Sequence, residues 1–289
     1  MRILNLEKIC ARIDDRAVIG RMREALIAQA RGECSTPMPM HLDVANGGEV
    51  HMKSSYRHGG KYFALKLAST FQGKGNGMML LSSAETGEPV VYLDDQGHLT
   101  DVRTAAVAAM VAKELRRKDR SIGILGTGIQ ARLTARFHRK VLPLERIFLW
   151  GRDPEKARRC AEEIEAVVVG SPAGVAAATR LIVTCTASRA PLLFYKDLRP
   201  GTHISAVGSD SVGKQELDPE ILRNVDLLLV DSLAQCEKLG ELLHALDQKG
   251  KAVEIGAFCE KPRAVPSSVA DFTGLGVEDL FIAEMIHEA

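Results

Sequence analysis

Six consecutive residues have the types and the order of a phosphate-binding turn. They follow the apolar run Ile122–Leu125 and spell the pattern G-x-G-x-x-A. In this pattern the first glycine makes a tight turn, the second lets the backbone approach a pyrophosphate, and the alanine lets a helix pack closely. The pattern predicts dinucleotide binding; the alternative is an ordinary tight turn between a strand and a helix. The residues are Gly126, Thr127, Gly128, Ile129, Gln130 and Ala131.

Other candidate residues follow apolar runs further along the chain. In open parallel sheets, ligands bind outside the carboxyl ends of the strands. If these runs are parallel strands, the residues after each of them line one edge of the sheet. Besides the glycine turn, this rule selects Gly151, Arg152 and Asp153; Thr184, Cys185 and Thr186; and Gly208, Ser209 and Asp210.

The residues after the second run bear on the choice of cofactor. A carboxylate at this strand end would hold the ribose hydroxyls of NAD, whereas an arginine accommodates the extra phosphate of NADP. Here Arg152 comes first and Lys156 lies one helical turn later, so NADP(H) is favoured. NAD(H) stays an alternative, because Asp153 can serve a ribose and Arg152 can stack on the adenine.

Asp210 is the acid/base candidate of the second half of the chain. Its position at a strand's carboxyl end suits a group that exchanges a proton beside a nicotinamide. The alternative is a turn aspartate that caps the segment before Gly213.

Cationic candidates lie earlier in the chain. Arg103 is predicted in the first turn of its helix, where the helix dipole disfavours a cation unless an anion is shared; the alternative is a surface ion pair with Asp101. Lys66 lies in a strand-like run among alanines, so it either extends from an edge or faces a cavity that contains a carboxylate. His41 and His51 lie in nearby runs and could line the same cavity, or could be ordinary surface or core histidines.

The second half of the chain alternates strand and helix patterns. This alternation predicts a parallel sheet with helices on both faces, a Rossmann-type α/β fold. The predicted strands are Ile122–Leu125, Ile147–Trp150, Val167–Val169, Leu181–Cys185, His203–Val207 and Leu227–Val230, and the predicted helices are Pro154–Ile164, Ala173–Ala178 and Gln235–Gln248.

The first part of the chain has a different pattern. Short strand-like runs separated by glycine-rich turns predict an antiparallel meander within an α+β domain. The runs are His41–Ala45, Glu49–Ser55, Tyr62–Ser69, Met78–Ala84 and Val90–Leu93, with a loop at Gly73–Gly77. Helices are predicted at Asp15–Arg31 and at Asp101–Leu115, the latter capped by Thr100 or Asp101, and the tail Ser268–Ala289 has helical character.

Composition excludes several classes of protein. The formal net charge is +1 and basic runs are absent, which argues against binding nucleic acid. No metal-ligand spacing, H-E-x-x-H motif or G-x-S-x-G elbow occurs, so metal and serine-hydrolase chemistry lack support. Six cysteines without paired spacing, and no membrane-length apolar run, predict a reduced, cytoplasmic protein that does not bind a membrane.

Four segments carry a resemblance to a known family. They are TGEPVVYLDDQGHLTDVRTAAVAA, GILGTGIQAR, HISAVGSDSVGKQELDPEIL and TGLGVEDL. In this order they resemble the ornithine cyclodeaminase and mu-crystallin family. Within it, PMPMHLDV, GEVHMK and DSLAQCEKLGELLHAL look most like the branch of ectoine-utilisation proteins and iminosuccinate reductases.

The resemblance implies a homodimer with two domains per chain. Residues 1–108 with 268–289 would form a substrate-binding and dimerisation domain, and residues 109–267 a Rossmann domain that binds NAD(P). Lys66 and Arg103 would hold the substrate carboxylate, and Asp210, or Lys66 through a water, would transfer the proton. Cofactor contacts are implied for Arg103, Thr104, the Gly126–Gln130 loop, Arg152, Thr184, Val207, Thr273 and Gly274.

Two departures from the family pattern bear on the substrate. Cyclodeaminases of the family carry an arginine that binds the substrate carboxylate after the prolines, where this chain reads Pro39-Met40-His41. They also carry an acidic residue near the position that His51 holds here. Imidazoles at these places would suit a second substrate carboxylate better than ornithine's distal ammonium. The chain is therefore expected to be an NAD(P)H-dependent reductase of an α-imino acid, with iminosuccinate as the first candidate. Alternatives are cyclodeamination of ornithine with bound NAD⁺, and non-catalytic binding of NADP(H) or a small ligand as in mu-crystallin.

Overall fold

The computed structural model describes all residues, Met1–Ala289, and divides them into two compact units. The first unit comprises Met1–Arg103 and Leu275–Ala289, and the second unit comprises Thr104–Gly274. The boundaries expected from the sequence were residues 108 and 268. The segment 268–274 therefore lies in the second unit, while the final helix lies in the first.

The chain contains strands and helices in both units. The strands are β1 (Arg2–Asn5), β2 (Cys34–Ser35), β3 (Met40–Val44), β4 (Gly48–Arg57), β5 (Tyr62–Phe71), β6 (Lys74–Ser83), β7 (Pro89–Asp94), β8 (Ser121–Leu125), β9 (Arg146–Trp150), β10 (Val167–Val168), β11 (Leu181–Thr184), β12 (Arg189–Leu193), β13 (His203–Ala206), β14 (Gln215–Leu217), β15 (Leu227–Val230), β16 (Ala252–Glu254) and β17 (Ser268–Asp271). The helices are α1 (Leu6–Cys10), α2 (Asp15–Ala30), α3 (His98–Glu114), α4 (Ile129–Val141), α5 (Pro154–Ile164), α6 (Pro172–Ala178), α7 (Pro219–Asn224), α8 (Leu233–Cys236), α9 (Ile255–Glu260) and α10 (Gly276–Glu288), with 3₁₀ turns at Ala45–Gly47, Tyr195–Asp197 and Glu241–Lys251. None of the helices combines the length and apolar character that a membrane span needs.

The sheet of the first unit confirms the predicted meander. Strands β4 to β7 pair antiparallel with their neighbours in sequence, in the order β1-β7-β6-β5-β4-β2, and β3 also pairs with β4. The N-terminal strand β1 was not predicted; it adds parallel to β7. Helix α10 packs on β4, β5 and α2. It therefore covers the sheet face on which the side chains of Ala64 and Lys66 lie.

The predicted loop at Gly73–Gly77 is wrong. Phe71 pairs directly with Lys74, so only Gln72 and Gly73 connect β5 to β6. Both have positive φ, 51° and 75°, which is the backbone of a two-residue hairpin with a type I′ turn. The remaining glycines of the segment lie inside β6, where Gly75 pairs with Thr70 and Gly77 with Ala68.

Helix α3 begins earlier than the sequence predicted. Its first residue is His98, and the Leu99 N–H donates to Asp95 Oδ2 at 2.8 Å. Asp95, rather than Thr100 or Asp101, therefore satisfies the start of the helix. Arg103 then lies beyond the first turn, so the prediction that it opposes the helix dipole is wrong.

The second unit has the predicted parallel sheet with helices on both faces. Its strand order is β10-β9-β8-β11-β13-β17-β15-β16, and every pair is parallel. Two predictions are wrong here. The segment Ser268–Asp271 is not helical but is the buried strand β17, inserted between β13 and β15. The predicted helix Gln235–Gln248 is divided into α8 and a kinked 3₁₀ segment.

A buried histidine lies in the centre of this sheet. His203 is fully buried, with Nδ1 2.8 Å from Ser268 Oγ and Nε2 3.0 Å from Ser205 Oγ. Burial lowers its pKa to about 3. The imidazole is therefore neutral in the folded protein near neutral pH.

We predict that His203 makes stability fall in acid. The unfolded histidine titrates near 6.5 and the folded one near 3, so its contribution to stability is present above pH 6.5 and is lost as the pH falls through this window. Between pH 7 and pH 5 the parent should lose about 2 kcal/mol more unfolding free energy than His203→Gln, by urea denaturation. Because both proteins share the same buried carboxylates, equal pH dependences would contradict the prediction.

Candidate active site

A cleft opens in the second unit at the carboxyl ends of β8, β9 and β11. Its walls are the turns that follow these strands. This is the edge at which parallel sheets bind their ligands. The lining residues are Gly126, Thr127, Gly128, Trp150, Gly151, Arg152, Asp153, Lys156, Cys185, Thr186, Ala187, Ser188 and Leu192.

The glycine turn forms one wall of this cleft. Gly126 has φ 135°, and a Cβ there would lie 2.7 Å from the Cys185 carbonyl oxygen, so another residue would not fit. Gly128 precedes helix α4, makes no side-chain cap, and has nothing within 4 Å of where a Cβ would be. The first turn of α4 therefore has no capping side chain and begins at the cleft, an arrangement that fits a pyrophosphate.

An arginine that the sequence reasoning missed holds this turn in place. Arg132 Nη1 donates to the carbonyl oxygens of Thr127 at 2.9 Å and Gly128 at 3.1 Å. Its other nitrogens bond to Glu163 on α5, which raises the pKa of Arg132. The position gives a weak sequence signal, since an arginine in the first turn of a helix opposes the dipole unless carbonyl groups bind it.

The far end of the cleft is basic. Arg152 and Lys156 line it, whereas Asp153 caps helix α5: its Oδ1 accepts from the N–H groups of Glu155 at 3.0 Å and Lys156 at 3.2 Å. One carboxylate oxygen of Asp153 is therefore bound to its own helix. The arrangement leaves a cationic environment where a ribose or its phosphate would lie.

Some residues predicted to bind the cofactor lie outside the cleft lining. Thr184 is fully buried, and Ile129 is 47% exposed on α4. The N–H groups of Thr273 and Gly274 both donate to Asp231 Oδ2 at 2.7 Å. Thr104, Gln130, Val207 and Gly208 also lie outside this lining, while Trp150, Ala187, Ser188 and Leu192 line it without having been predicted.

The first unit contains a buried ionic cluster. Arg103 Nη1 lies 2.8 Å from Glu278 Oε2 and its Nε lies 3.3 Å from Asp279 Oδ1. Lys66 Nζ lies 3.6 Å from Asp279 Oδ2, an ion-pair distance too long for a hydrogen bond. All four side chains are at most 5% exposed.

This cluster brings the two predicted carboxylate-binding cations together. Lys53 adds a third cation, since it pairs with Lys66 across β4 and β5. The sequence reasoning missed Glu278 and Asp279, although a pair of acids in the first turn of an otherwise apolar helix is a usable signal. Chemically, the cluster is a set of buried ion pairs in which the charges of Lys66 and Arg103 are balanced by Glu278 and Asp279.

The two predicted histidines lie on the same sheet face as Lys66. His51 pairs with Ala68, and the ring centroids of His41 and His51 are 4.6 Å apart. Each has an acidic neighbour: His41 Nε2 lies 3.0 Å from Asp43, and His51 Nε2 lies 3.9 Å from Glu49. The His41 side chain is 44% exposed, so it belongs to the surface of the first unit.

Asp210 lies on the surface of the second unit, in the loop after β13. Its side chain is 51% exposed, and its Oδ1 lies 2.6 Å from Lys214 Nζ. Asp210 therefore has a cationic partner within its own loop. An exposed pair of this kind contributes little to stability, so Asp210 can change partners at low cost.

Comparison with known proteins places the chain in a family. Residues 3–289 match the model of the ornithine cyclodeaminase/mu-crystallin family. The chain is 36% identical over 275 residues to an uncharacterised cyclodeaminase of Sinorhizobium fredii, covering 86% of this chain and 83% of that protein. It is 33% identical over 205 residues to iminosuccinate reductase of Paracoccus denitrificans, covering 66% and 63%.

A solved structure shows the same similarity. The fold matches an archaeal alanine dehydrogenase dimer with bound NAD, with a TM-score of 0.90 and 26% identity, covering 100% of this chain and 95% of that chain. The similar proteins are reductases, dehydrogenases and cyclodeaminases, so the predicted α/β fold and the predicted enzymatic class are confirmed. The chain belongs to the ornithine cyclodeaminase/mu-crystallin family of enzymes.

Proposed function

We propose that the protein is an NAD(P)H-dependent reductase that converts an α-imino acid into an L-amino acid. The observation that carries this proposal is that Lys66 and Arg103, the two cations expected to hold a substrate carboxylate, lie together on the carboxylate of Asp279 in a member of this enzyme family. Similarity to an iminosuccinate reductase and an alanine dehydrogenase supports the reductive direction. A small imino acid with a carboxylate is the ligand that such a site suits.

The residues of each unit have separate tasks in this reaction. The turn at Gly126–Gly128 and the N-terminus of α4 would hold the pyrophosphate of NAD(P)H, whose nicotinamide supplies the hydride for the imine carbon. Lys66 and Arg103 would hold the α-carboxylate, and positioning of this kind can remove several kcal/mol from the barrier. Asp210, or Lys66 through a water, would deliver the proton to nitrogen, which balances the addition of hydride.

Iminosuccinate is the proposed substrate, with L-aspartate as the product. The adjacent imidazoles of His41 and His51 are suited to a second carboxylate, and the similarity to iminosuccinate reductase agrees with this. Cyclodeamination of ornithine is the second candidate, because the chain is similar to a cyclodeaminase over most of its length. The protein would work in the cytoplasm.

We expect the purified protein to oxidise NADPH or NADH when it is given oxaloacetate and ammonia. Lys66→Gln and Arg103→Gln should each lower kcat/KM at least about 100-fold, because each removes a charge-assisted contact to the carboxylate. The control Lys118→Gln changes an exposed lysine and should have no effect. An unchanged circular dichroism spectrum of both variants, and retained cofactor binding by Lys66→Gln, would show that they are folded.

Two results would contradict the reductase proposal. Ammonia release from ornithine without net change in nicotinamide absorbance would identify a cyclodeaminase. Cofactor binding without turnover of any imino acid, including those made from pyruvate or glyoxylate, would identify a binding protein of the mu-crystallin kind.

We also infer that NADP(H) is preferred over NAD(H). Arg152 and Lys156 line the basic end of the cleft, while Asp153 is engaged in capping α5. The solved relative contains NAD, so the preference would distinguish this chain from that protein. The inference rests on the bidentate fit of an arginine to a phosphate.

Substitution of Arg152 should reverse this preference. In Arg152→Ala, the ratio of kcat/KM for NADPH to that for NADH should fall about 10- to 100-fold, because the phosphate loses its charged partner. Arg158→Ala is the matched control, since Arg158 is exposed on helix α5, which follows Arg152, and bonds to Glu155 and Glu162 instead. A parent that prefers NADH, or a variant that loses both cofactors equally, would refute the inference.

We propose that the protein is a homodimer in which the second copy covers the outer face of the first unit's sheet. This face points away from Lys66 and is apolar on neighbouring strands, with Met40 at 63% and Leu65 at 46% exposure. Exposed apolar residues clustered on one sheet face mark an interaction site, and the alanine dehydrogenase relative is a dimer. The face comprises Ile3, Met40, Leu42, Met52, Phe63, Leu65, Leu67, Met78, Leu80 and Tyr92.

Light scattering after size exclusion should give twice the 31.4 kDa of one chain. Leu65→Asp should shift the protein toward the monomer by placing a charge within the buried interface. Leu246→Asp, at an exposed leucine of the second unit, should leave the mass unchanged. A monomeric parent, or a dimer that tolerates Leu65→Asp, would disprove this arrangement.

A further inference from the structure

One buried carboxylate in the second unit collects hydrogen bonds from two turns at the edge of the sheet. Glu216, in β14, is fully buried. Its Oε1 accepts from the N–H and the Oγ1–H of Thr186, both at 2.7 Å, and its Oε2 accepts from Thr184 Oγ1 at 2.7 Å and Gly208 N at 2.9 Å. Thr184 and Thr186 mark the end of β11, and Gly208 follows β13. The sequence reasoning had not selected Glu216.

The contacts use the whole hydrogen-bonding capacity of the carboxylate. Each oxygen accepts two donors, which occupies its lone pairs. Burial raises the pKa of Glu216, and the four donors oppose this effect. A neutral amide of the same shape would present N–H groups to two of the donors, so glutamine cannot replace this arrangement.

The neighbouring backbone is adapted to this carboxylate. A Cβ on Gly208 would lie 2.6 Å from Glu216 Oε2 and 2.2 Å from the carbonyl oxygen of Thr186. Only glycine therefore permits the loop after β13 to approach. The close approach makes the two turns and the carboxylate one rigid assembly.

The assembly connects two parts of the proposed site. Thr186 lines the cleft, and Gly208 begins the loop that contains Asp210. The same carboxylate thus sets both the position of a cleft wall and the start of the Asp210 loop. Glu216 itself does not line the cleft, so it can act there only through these partners.

Two further buried carboxyl groups, Glu241 and Asp271, are connected to Glu216 through backbone N–H groups. The N–H groups of Glu216 and Leu217 donate to Glu241 at 2.7 and 3.2 Å, and those of Glu241 and Leu242 donate to Asp271 at 3.0 and 2.9 Å. Burial raises the pKa of Glu241 to about 9 and that of Asp271 to about 7. The row extends from the central strand β17 to the edge of the cleft, so the position of Glu216 depends on the sheet and not on solvent.

We propose that Glu216 is a positioning residue for the dinucleotide: it fixes Thr186 and the loop after β13 in the arrangement that binds the cofactor. The proposal rests on the cofactor part of the proposed function and not on the substrate. Glu216 would therefore raise the affinity for the dinucleotide in addition to stabilising the fold.

Quenching of Trp150 fluorescence by the cofactor tests the proposal directly. Trp150 is the only tryptophan of the chain and lines the cleft, so quenching of its emission by NADPH or NADH reports binding. Glu216→Gln should raise the cofactor Kd at least about 10-fold at a temperature well below unfolding, because the loss of one charged hydrogen-bond acceptor is worth this much. The control Glu220→Gln alters an exposed glutamate of α7 and should leave the Kd unchanged.

A second variant keeps the test decisive if Glu216→Gln does not fold. Thr184→Val removes one donor to Glu216 from a fully buried side chain that does not line the cleft, so it should weaken cofactor binding in the same direction but less. Where both variants fold, their effects on Kd should be non-additive, since they break the same contact.

Each outcome decides between the two roles. A lower melting temperature with an unchanged Kd, in Glu216→Gln or in Thr184→Val, would overturn the proposal and leave Glu216 a structural residue only. Absence of quenching in the parent would instead refute the cofactor site itself, whereas quenching in the parent with unchanged variants would refute only the role of Glu216.

Discussion

Buried charges that require partners govern the arrangement of this protein. A carboxylate or ammonium group inside a protein costs several kcal/mol unless opposite charges or hydrogen-bond donors compensate it. In the second unit, the buried carboxyl groups of Glu216, Glu241 and Asp271 accept hydrogen bonds from backbone N–H groups at the ends of strands and turns, and Glu216 also accepts from two threonine hydroxyls. These N–H groups would otherwise be unsatisfied where the sheet stops, so each carboxylate and its turn stabilise one another.

In the first unit, ion pairs compensate the buried charges. Lys66 and Arg103 lie on a strand and a helix that are far from α10 in sequence, and their carboxylate partners are the first acids of α10. Removing α10 would leave two buried cations uncompensated. This explains in physical terms why the C-terminal helix belongs to the first unit although the strand just before it belongs to the second.

Local signals made much of the fold predictable. Helix α5 and strand β15 have the predicted bounds, because α5 has an apolar face and begins at a Pro, whereas β15 is a continuous apolar run with an Asp at each end. Strand β17 was missed because SVAD is too short and too small in its side chains to show a period, and its place between β13 and β15 depends on pairing alone. The start of α3 was missed because Asp95 caps it across a turn with positive φ at Gln96 and Gly97.

Candidate site residues could be selected from residue type and order wherever they lie close together in sequence. The glycine turn, Arg152 and the Thr184–Thr186 segment could be selected from the sequence because they follow strands, and strand ends in a parallel sheet share one edge. The sequence also identified Lys66 and Arg103 as candidates. It could not show that Glu278 and Asp279 lie beside them, nor that Glu216 lies behind the cleft, because a buried charge takes its partners from segments that only folding brings within hydrogen-bonding distance.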